Sequence, residues 1–310
     1  MTTVVFVAVY AGLLIFLAGC VRRIVQYSRV PRHLRWELYP VPHEDSHRVA
    51  HGGSYFEASD WWTEPRHFNL AGELRAMFAE IVFLKALHEF NRRLWYPSFV
   101  FHFGLYSGVA TIVLAALRTA IELFAPSLAG TAALATLARL YQFTGLLGAV
   151  FIFLGALGLL TRRLGDRSMR EYTTASDIFN LLFFMVVVAC LAVGYLLQPA
   201  GATITATARG VVTFDTSIRT GSLFGVGVIL ASVLVAYIPF THMSHFIAKY
   251  FTYHAVRWDD EQNRRGSALE KDVDRYLGYK PTWAAAHMRA DGTKTWADLA
   301  VINPAREDRK

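Results

Sequence analysis

Cysteine is scarce in this sequence of 310 residues, which contains only Cys20 and Cys190. Two thiols cannot hold an iron–sulfur cluster, which takes four thiolates. The two cysteines also fall in separate apolar segments, so they give no disulfide framework. Any redox chemistry in this chain must therefore use another cofactor.

Lysine and arginine are absent from the first 21 residues. Residues 17–20, LAGC, are typical of a lipoprotein processing site, but a signal peptide needs a positive region before its apolar stretch. Here the positive charge follows instead, as Arg22 and Arg23. We therefore interpret residues 1–21 as a membrane helix that stays attached, with Cys20 as an ordinary buried thiol.

Charged residues are also absent from five apolar windows, each long enough to cross the hydrocarbon core of a bilayer. The chain as a whole is 54% hydrophobic. The sequence predicts an all-α, multi-pass protein of the cell's inner (cytoplasmic) membrane with five transmembrane helices. The windows are 3–21, 97–117, 140–161, 178–199 and 220–248.

The basic residues lie almost entirely on one side of these spans. With five spans, 27 Lys and Arg fall on one side and four on the other. Basic residues favour the cytoplasm, so the N-terminus is predicted outside and the C-terminus in the cytoplasm. The same asymmetry explains the net charge of +7 without a nucleic-acid partner. Anionic lipid headgroups would also favour it. The predicted organisation is a first transmembrane helix (1–21), a cytoplasmic loop (22–96), a four-helix membrane region (97–248) and a cytoplasmic tail (249–310).

Two cytoplasmic stretches stand out. Within 68–90, apolar residues recur at three- and four-residue steps, which predicts an amphipathic helix on the membrane surface or, alternatively, a helix that binds a partner. The tail is polar and non-periodic but carries Trp258, Trp283 and Trp296. It is interpreted as an extended arm on another protein, with a disordered tail as the alternative.

Histidine is absent from three of the five spans. His102 follows Pro97 by five residues, so it lies roughly 8 Å into the second span, and His242 and His245 lie near the inner end of the fifth. Two imidazoles at matching depth suit the two axial positions of a b-type haem, and Gly104 and Gly108 would allow a flat macrocycle to approach. The alternative is a hydrogen bond from each histidine to a neighbouring helix.

Two motifs carry a family resemblance. Residues 94–104, LWYPSFVFHFG, and residues 238–246, IPFTHMSHF, resemble the membrane cytochrome b (gamma) subunit of respiratory nitrate reductases. The chain looks most similar to its relatives in sulfate-reducer and heterodisulfide-reductase-type membrane complexes. The resemblance implies five spans, two haems b, a quinone substrate (menaquinone or ubiquinone), and electron transfer to or from a cytoplasmic iron–sulfur subunit.

Departures from the family pattern reduce the expected haem count to one. Where the family has ligands for an outer haem, this chain has Ile112 and Gly227. One inner-side haem is predicted, with His102 and His245 as the iron ligands. His242 is predicted to contact a haem propionate or the quinone.

Two alternatives stay open at this point. His88 is the rival haem ligand, because it precedes His102 by 14 residues, but we place it on the surface helix. The rival function is a non-redox membrane anchor or transporter with structural histidines, although the spans lack the charged, broken helices of transporters. The leading interpretation is an electron-transfer subunit whose iron–sulfur partner contacts residues 31–67 and 258–304.

Overall fold

The computed structural model describes residues 2–30, 40–51, 53–63, 65, 68–197, 204–282 and 290–302. It is 77% helical, and the described residues contain no strand, so the all-α prediction is confirmed. The α-helices are α1 (Thr2–Ser28), α2 (Ser46–Ala50), α3 (Leu70–Val82), α4 (Lys85–Phe90), α5 (Arg92–Phe124), α6 (Ala132–Gly165), α7 (Arg167–Arg170), α8 (Ala175–Leu196), α9 (Ile204–Thr213), α10 (Ser222–Tyr237), α11 (His245–Thr252), α12 (Ala268–Leu277) and α13 (Trp296–Ala300). Short 3₁₀ turns occur at Tyr55–Glu57, Trp61–Thr63, Pro126–Leu128, Ile238–Phe240 and His242–Ser244, and a π-helical turn at Tyr253–Arg257.

Five helices are long and apolar enough to cross a membrane, as predicted. They are α1, α5, α6, α8, and α10 together with the turn that follows it. The fifth predicted window, 220–248, is not one helix, because α10 ends at Tyr237 and a new helix begins at His245. Pro239 lies at this break, and proline removes a backbone donor from the interior of a helix.

The chain divides into two compact units. The first comprises Met1–Arg23 and Arg75–Ser244, and the second comprises Ile24–Leu74 and His245–Lys310. The predicted boundaries after residues 21, 96 and 248 concern sides of a membrane and stay a prediction. All five candidate spans belong wholly or mainly to the first unit.

Small residues allow the helices of the first unit to pack closely, as is common in membranes. A Cβ on Gly104 of α5 would lie 2.6 Å from the backbone nitrogen of Ile152 on α6. A Cβ on Gly227 of α10 would lie 2.9 Å from the backbone nitrogen of Leu191 on α8. α5 therefore packs on α6, α6 on α8 and α8 on α10. Their shared apolar core contains Phe101, Ile152, Ala156, Leu181, Phe184, Val187, Val188 and Leu234.

The first helix continues through the LAGC stretch without a break and ends only at Ser28. Its basic end is tied to the fifth span, where the Arg23 Nε donates a 2.8 Å hydrogen bond to the Pro239 carbonyl. A Cβ on Gly19 would lie 2.6 Å from the Pro239 Cβ, so the helices are in close contact here. These contacts pack the first helix against the fifth span, and its retention in the membrane stays a prediction.

The predicted single helix over 68–90 is instead two helices, α3 and α4. The break falls at Phe83 and Leu84, and Leu84 adopts the left-handed region with φ 52°. The Glu80 side chain stabilises the break by accepting a 2.8 Å hydrogen bond from the backbone N–H of Ala86, in the first turn of α4. Sequence periodicity continued across this break because both helices are apolar on one side.

The second unit has a small and unusually polar interior. Its buried apolar side chains are Val41, Ile247, Tyr253 and Trp258. Beside Trp258 lies His43, whose Nε2 is 2.6 Å from the Asp260 carboxylate, with both side chains buried. A second histidine, His254, places its Nε2 2.9 Å from the Glu73 carboxylate. One buried and one partly buried histidine–carboxylate pair therefore lie in this unit.

Candidate functional site

His102 lies on α5 and is held in one tautomer by its own helix. Its Nδ1 is 2.7 Å from the Ser98 carbonyl oxygen. A carbonyl only accepts, so Nδ1 carries the proton and Nε2 carries the ring's lone pair. Histidines that ligate metals show this arrangement, in which the second nitrogen is fixed by a backbone carbonyl or carboxylate.

The surroundings of His102 are aromatic and belong to the apolar core. Its ring lies 5.7 Å from the Phe101 ring, which packs edge-on against Phe184 of α8 at 5.0 Å. On the other side, Tyr106 lies 6.4 Å away. Gly104, which was expected to admit a macrocycle, is in contact with α6 instead, whereas a Cβ on Gly108 would meet open space.

His242 lies in the 3₁₀ turn after α10 and is paired with an acidic residue of α8. Its Nε2 is 3.5 Å from Asp177, which lies 3.4 Å from the guanidinium of Arg163 on α6. Thr174 and Asp177 form a capping box at the start of α8. Capping by Thr174 fixes the position of the Asp177 carboxylate, which then draws one basic group from α6 and one from the α10 turn.

His245 is the first residue of α11 and the first residue of the second unit, and its side chain is exposed. His102 and His242 belong to the first unit. The axial pairing of His102 with His245 therefore stays a prediction.

The structure also shows where His88, the alternative haem ligand, lies. It shows the same for Ile112 and Gly227, the two positions that depart from the family pattern. His88 lies on α4, outside α5, with its ring edge-on to Trp95 at 4.8 Å, so the one-helix spacing argument for it fails. Ile112 is exposed on the surface of α5. Gly227 is used in the contact between α8 and α10. Neither position offers a side chain that ligates iron.

The donor set fits a haem better than a bare metal ion. Within the described residues, no group of three or more His, Cys, Asp or Glu side chains is placed to hold a metal ion. A haem brings four nitrogens of its own and needs only axial side chains. In the same described part, α5 and α10 do not form one of the closely packed helix pairs.

Sequence reasoning found the histidines but missed the groups that orient them. The Ser98 carbonyl belongs to the backbone, so the residue type does not indicate it. The sequence signal is only that Ser98 precedes His102 by four residues, which is one helical turn. Arg163 is not singled out by the sequence, because its approach to Asp177 depends on how α6 and α8 pack.

Comparison with known proteins assigns the part of the chain that contains these histidines to one family. The family model described as "Nitrate reductase gamma subunit" matches residues 87–259, more than half of the chain. The matched stretch includes His102, His242 and His245. No curated protein sequence matches the chain.

Proposed function

The chain belongs to the nitrate reductase gamma subunit family, and from this membership we propose that it is the quinone-linked electron-transfer subunit of a membrane oxidoreductase complex. The family consists of haem b-containing membrane cytochrome subunits of multi-subunit respiratory complexes. Five apolar helices make this chain a multi-pass membrane protein. The observation that carries the proposal is His102, whose Nδ1 is fixed by the Ser98 carbonyl so that Nε2 suits a metal.

We propose that the chain binds one haem b and that His102 and His245 would hold its iron. Bound there, a haem b supplies reversible one-electron chemistry in an apolar setting. The Ser98 carbonyl orients the His102 ring, and Phe101 and Phe184 exclude water from one side of it. The proposal of a single haem is supported by exposed Ile112 and packed Gly227, which occupy the positions of the family's outer-haem ligands.

The cluster of Asp177, Arg163 and His242 has a different proposed role. His242 would contact a haem propionate or the quinone, because its pairing with Asp177 holds it at the end of the α10 span. Menaquinone or ubiquinone is the proposed substrate. A carboxylate beside an imidazole can also take or give the protons that accompany quinone chemistry.

The proposed orientation places the N-terminus outside and the C-terminus in the cytoplasm of the inner membrane. The 27-to-four distribution of Lys and Arg supports it. A single inner haem then exchanges electrons with a cytoplasmic protein, for which an iron–sulfur subunit is the natural class. The proposed relatives are the sulfate-reducer and heterodisulfide-reductase-type complexes.

We propose that the partner contacts residues 31–67 and 258–304. Of these, residues 31–39, 52, 64, 66–67, 283–289 and 303–304 lie outside the described residues. The described tail has local order, since Thr295 and Asp298 cap α13 and the Trp296 N–H donates to the Tyr279 carbonyl at 3.0 Å. The backbone N–H of Thr295 lowers the pKa of Asp298, so this cap persists at neutral pH.

Deleting residues 281–310 is expected to weaken binding of the partner and leave the haem spectrum unchanged, because the proposed ligands lie outside the deleted segment. Deleting only 303–310 is the matched control, since it keeps α13. Co-purification of subunits from membranes measures the effect. Full partner retention in the longer deletion would show that the tail is not the docking arm.

The second candidate function is a non-redox anchor or transporter subunit. It is favoured only by the exposed positions of His242 and His245. A visible spectrum of the purified protein separates the two functions, because an anchor gives no Soret band.

A further inference from the structure

The α3–α4 corner, defined as residues 78–90, turns its apolar side chains outward. Phe78, Ile81, Phe83 and Phe90 are exposed. Glu80, the acidic residue of this end of α3, is buried on the opposite side. At this end of α3 the pattern is the reverse of a helix that faces water, where charged side chains are outside and apolar ones are covered. On α4 one ion pair stays outside, Lys85 with Glu89, whose side chains are 58% and 50% exposed.

Side chains satisfy the backbone groups at this corner. The last carbonyls of a helix have no partner within the helix and at a wet surface bind water. Here the Tyr106 hydroxyl donates to the Ile81 carbonyl at 2.5 Å, and the Trp95 Nε1–H donates to the Phe83 carbonyl at 2.8 Å. The Ala86 N–H, at the start of α4, donates to Glu80 at 2.8 Å. Internal pairing of backbone groups is what hydrocarbon requires of a chain, and these three bonds provide it at the break between α3 and α4.

The depth of the corner follows from the length of α5. This helix has 33 residues, whereas the hydrocarbon core takes about 20. Any run of about 20 residues placed within Arg92–Phe124 includes Tyr106. Tyr106 therefore lies inside the core at every position of the helix along the membrane normal, and it is bonded directly to Ile81.

We propose that the α3–α4 corner is inserted into the membrane and that its outward face binds lipid acyl chains. The corner thus interrupts the predicted cytoplasmic loop 22–96 with a segment that returns into the bilayer. It also lies against the side of α5 that carries His102, because Tyr106 is next to His102 and holds Ile81. The proposal does not depend on the haem or on the quinone.

Spin labels on positions of matched exposure test the insertion. In full-length chain lacking both native cysteines, single cysteines replace Phe83 (50% exposed), Val186 on α8 (51%) and Trp62 in the second unit (47%). The proteins are reconstituted in vesicles of phosphatidylcholine and phosphatidylglycerol. Collision rates are then measured with oxygen, which concentrates in lipid, and with a nickel chelate, which stays in water.

The F83C label is expected to match V186C, with frequent oxygen collisions and loss of nickel collisions. An F83C label that matches W62C would overturn the proposal. If F83C does not give a monodisperse helical protein, a label at Phe78 on the same face makes the same test. Because this readout needs no cofactor, a chain without a Soret band would refute the proposed function and leave the insertion to be decided by the labels.

Discussion

Replacing His102 with alanine is expected to remove the haem entirely, with loss of the Soret band from the purified protein. The wild-type chain should give about one haem b per chain by pyridine haemochrome analysis, because two histidines fill the axial positions of one iron. Alanine leaves one axial position without a ligand, inside a bundle whose core is otherwise apolar. Two haems per chain would contradict the loss of the outer site at Ile112 and Gly227.

Companion variants identify the second ligand. His245→Ala is expected to lose the haem, whereas His242→Ala keeps it, because His242 is paired with Asp177. His88→Ala is the matched control on α4 and should keep the full spectrum. A protein that retains haem after His245→Ala and loses it after His242→Ala would move the ligand to His242.

The second large effect concerns stability. His43→Ala is expected to destabilise the second unit by about 1.5–3 kcal/mol, since it removes a buried hydrogen bond between His43 and the Asp260 carboxylate. Asp260 is only 5% exposed, and its carboxylate lies 2.6 Å from the His43 Nε2. Thermal unfolding followed by tryptophan fluorescence measures the change, because Trp258 packs against His43.

His47→Ala provides the control for that measurement. His47 is exposed, four residues away, and its replacement should cost less than about 0.5 kcal/mol. The double variant His43→Ala with Asp260→Ala should lose less stability than the sum of the two single variants, because the two side chains share one hydrogen bond. Equal unfolding midpoints for His43→Ala and His47→Ala would contradict a stabilising role of the pair.

The five spans could be predicted from the sequence because transfer into hydrocarbon depends on composition alone. The ends of the helices could not, because they depend on local hydrogen bonds. α5 begins before the charge-free window, since Asn91 accepts a hydrogen bond from the Leu94 N–H and starts the helix at Arg92. The break between α3 and α4 depends on Glu80, and nothing in the apolar pattern shows that this carboxylate turns back to Ala86.

For the candidate site, too, composition predicts the residue types, whereas their contacts depend on how the helices pack. Histidine in a span is expensive, which singled out His102, His242 and His245 within the predicted windows. In the structure only His102 lies in a span, because the fifth span ends at Phe240. The partners of these histidines come from other elements or from the backbone. The Asp177 contacts with Arg163 and His242 need three helices in place, and no spacing in the sequence encodes them.

The most direct test of the central claim is reduction of the purified protein by a quinol. Menadiol is added under anaerobic conditions to the detergent-solubilised wild-type chain, and the visible spectrum is recorded before and after. The proposed function predicts a Soret band that shifts, with sharp α-band absorbance of a reduced b-type haem, and no such response in His102→Ala. A wild-type chain without a Soret band, or with a haem that dithionite reduces and menadiol does not, would contradict a quinone-linked electron-transfer subunit.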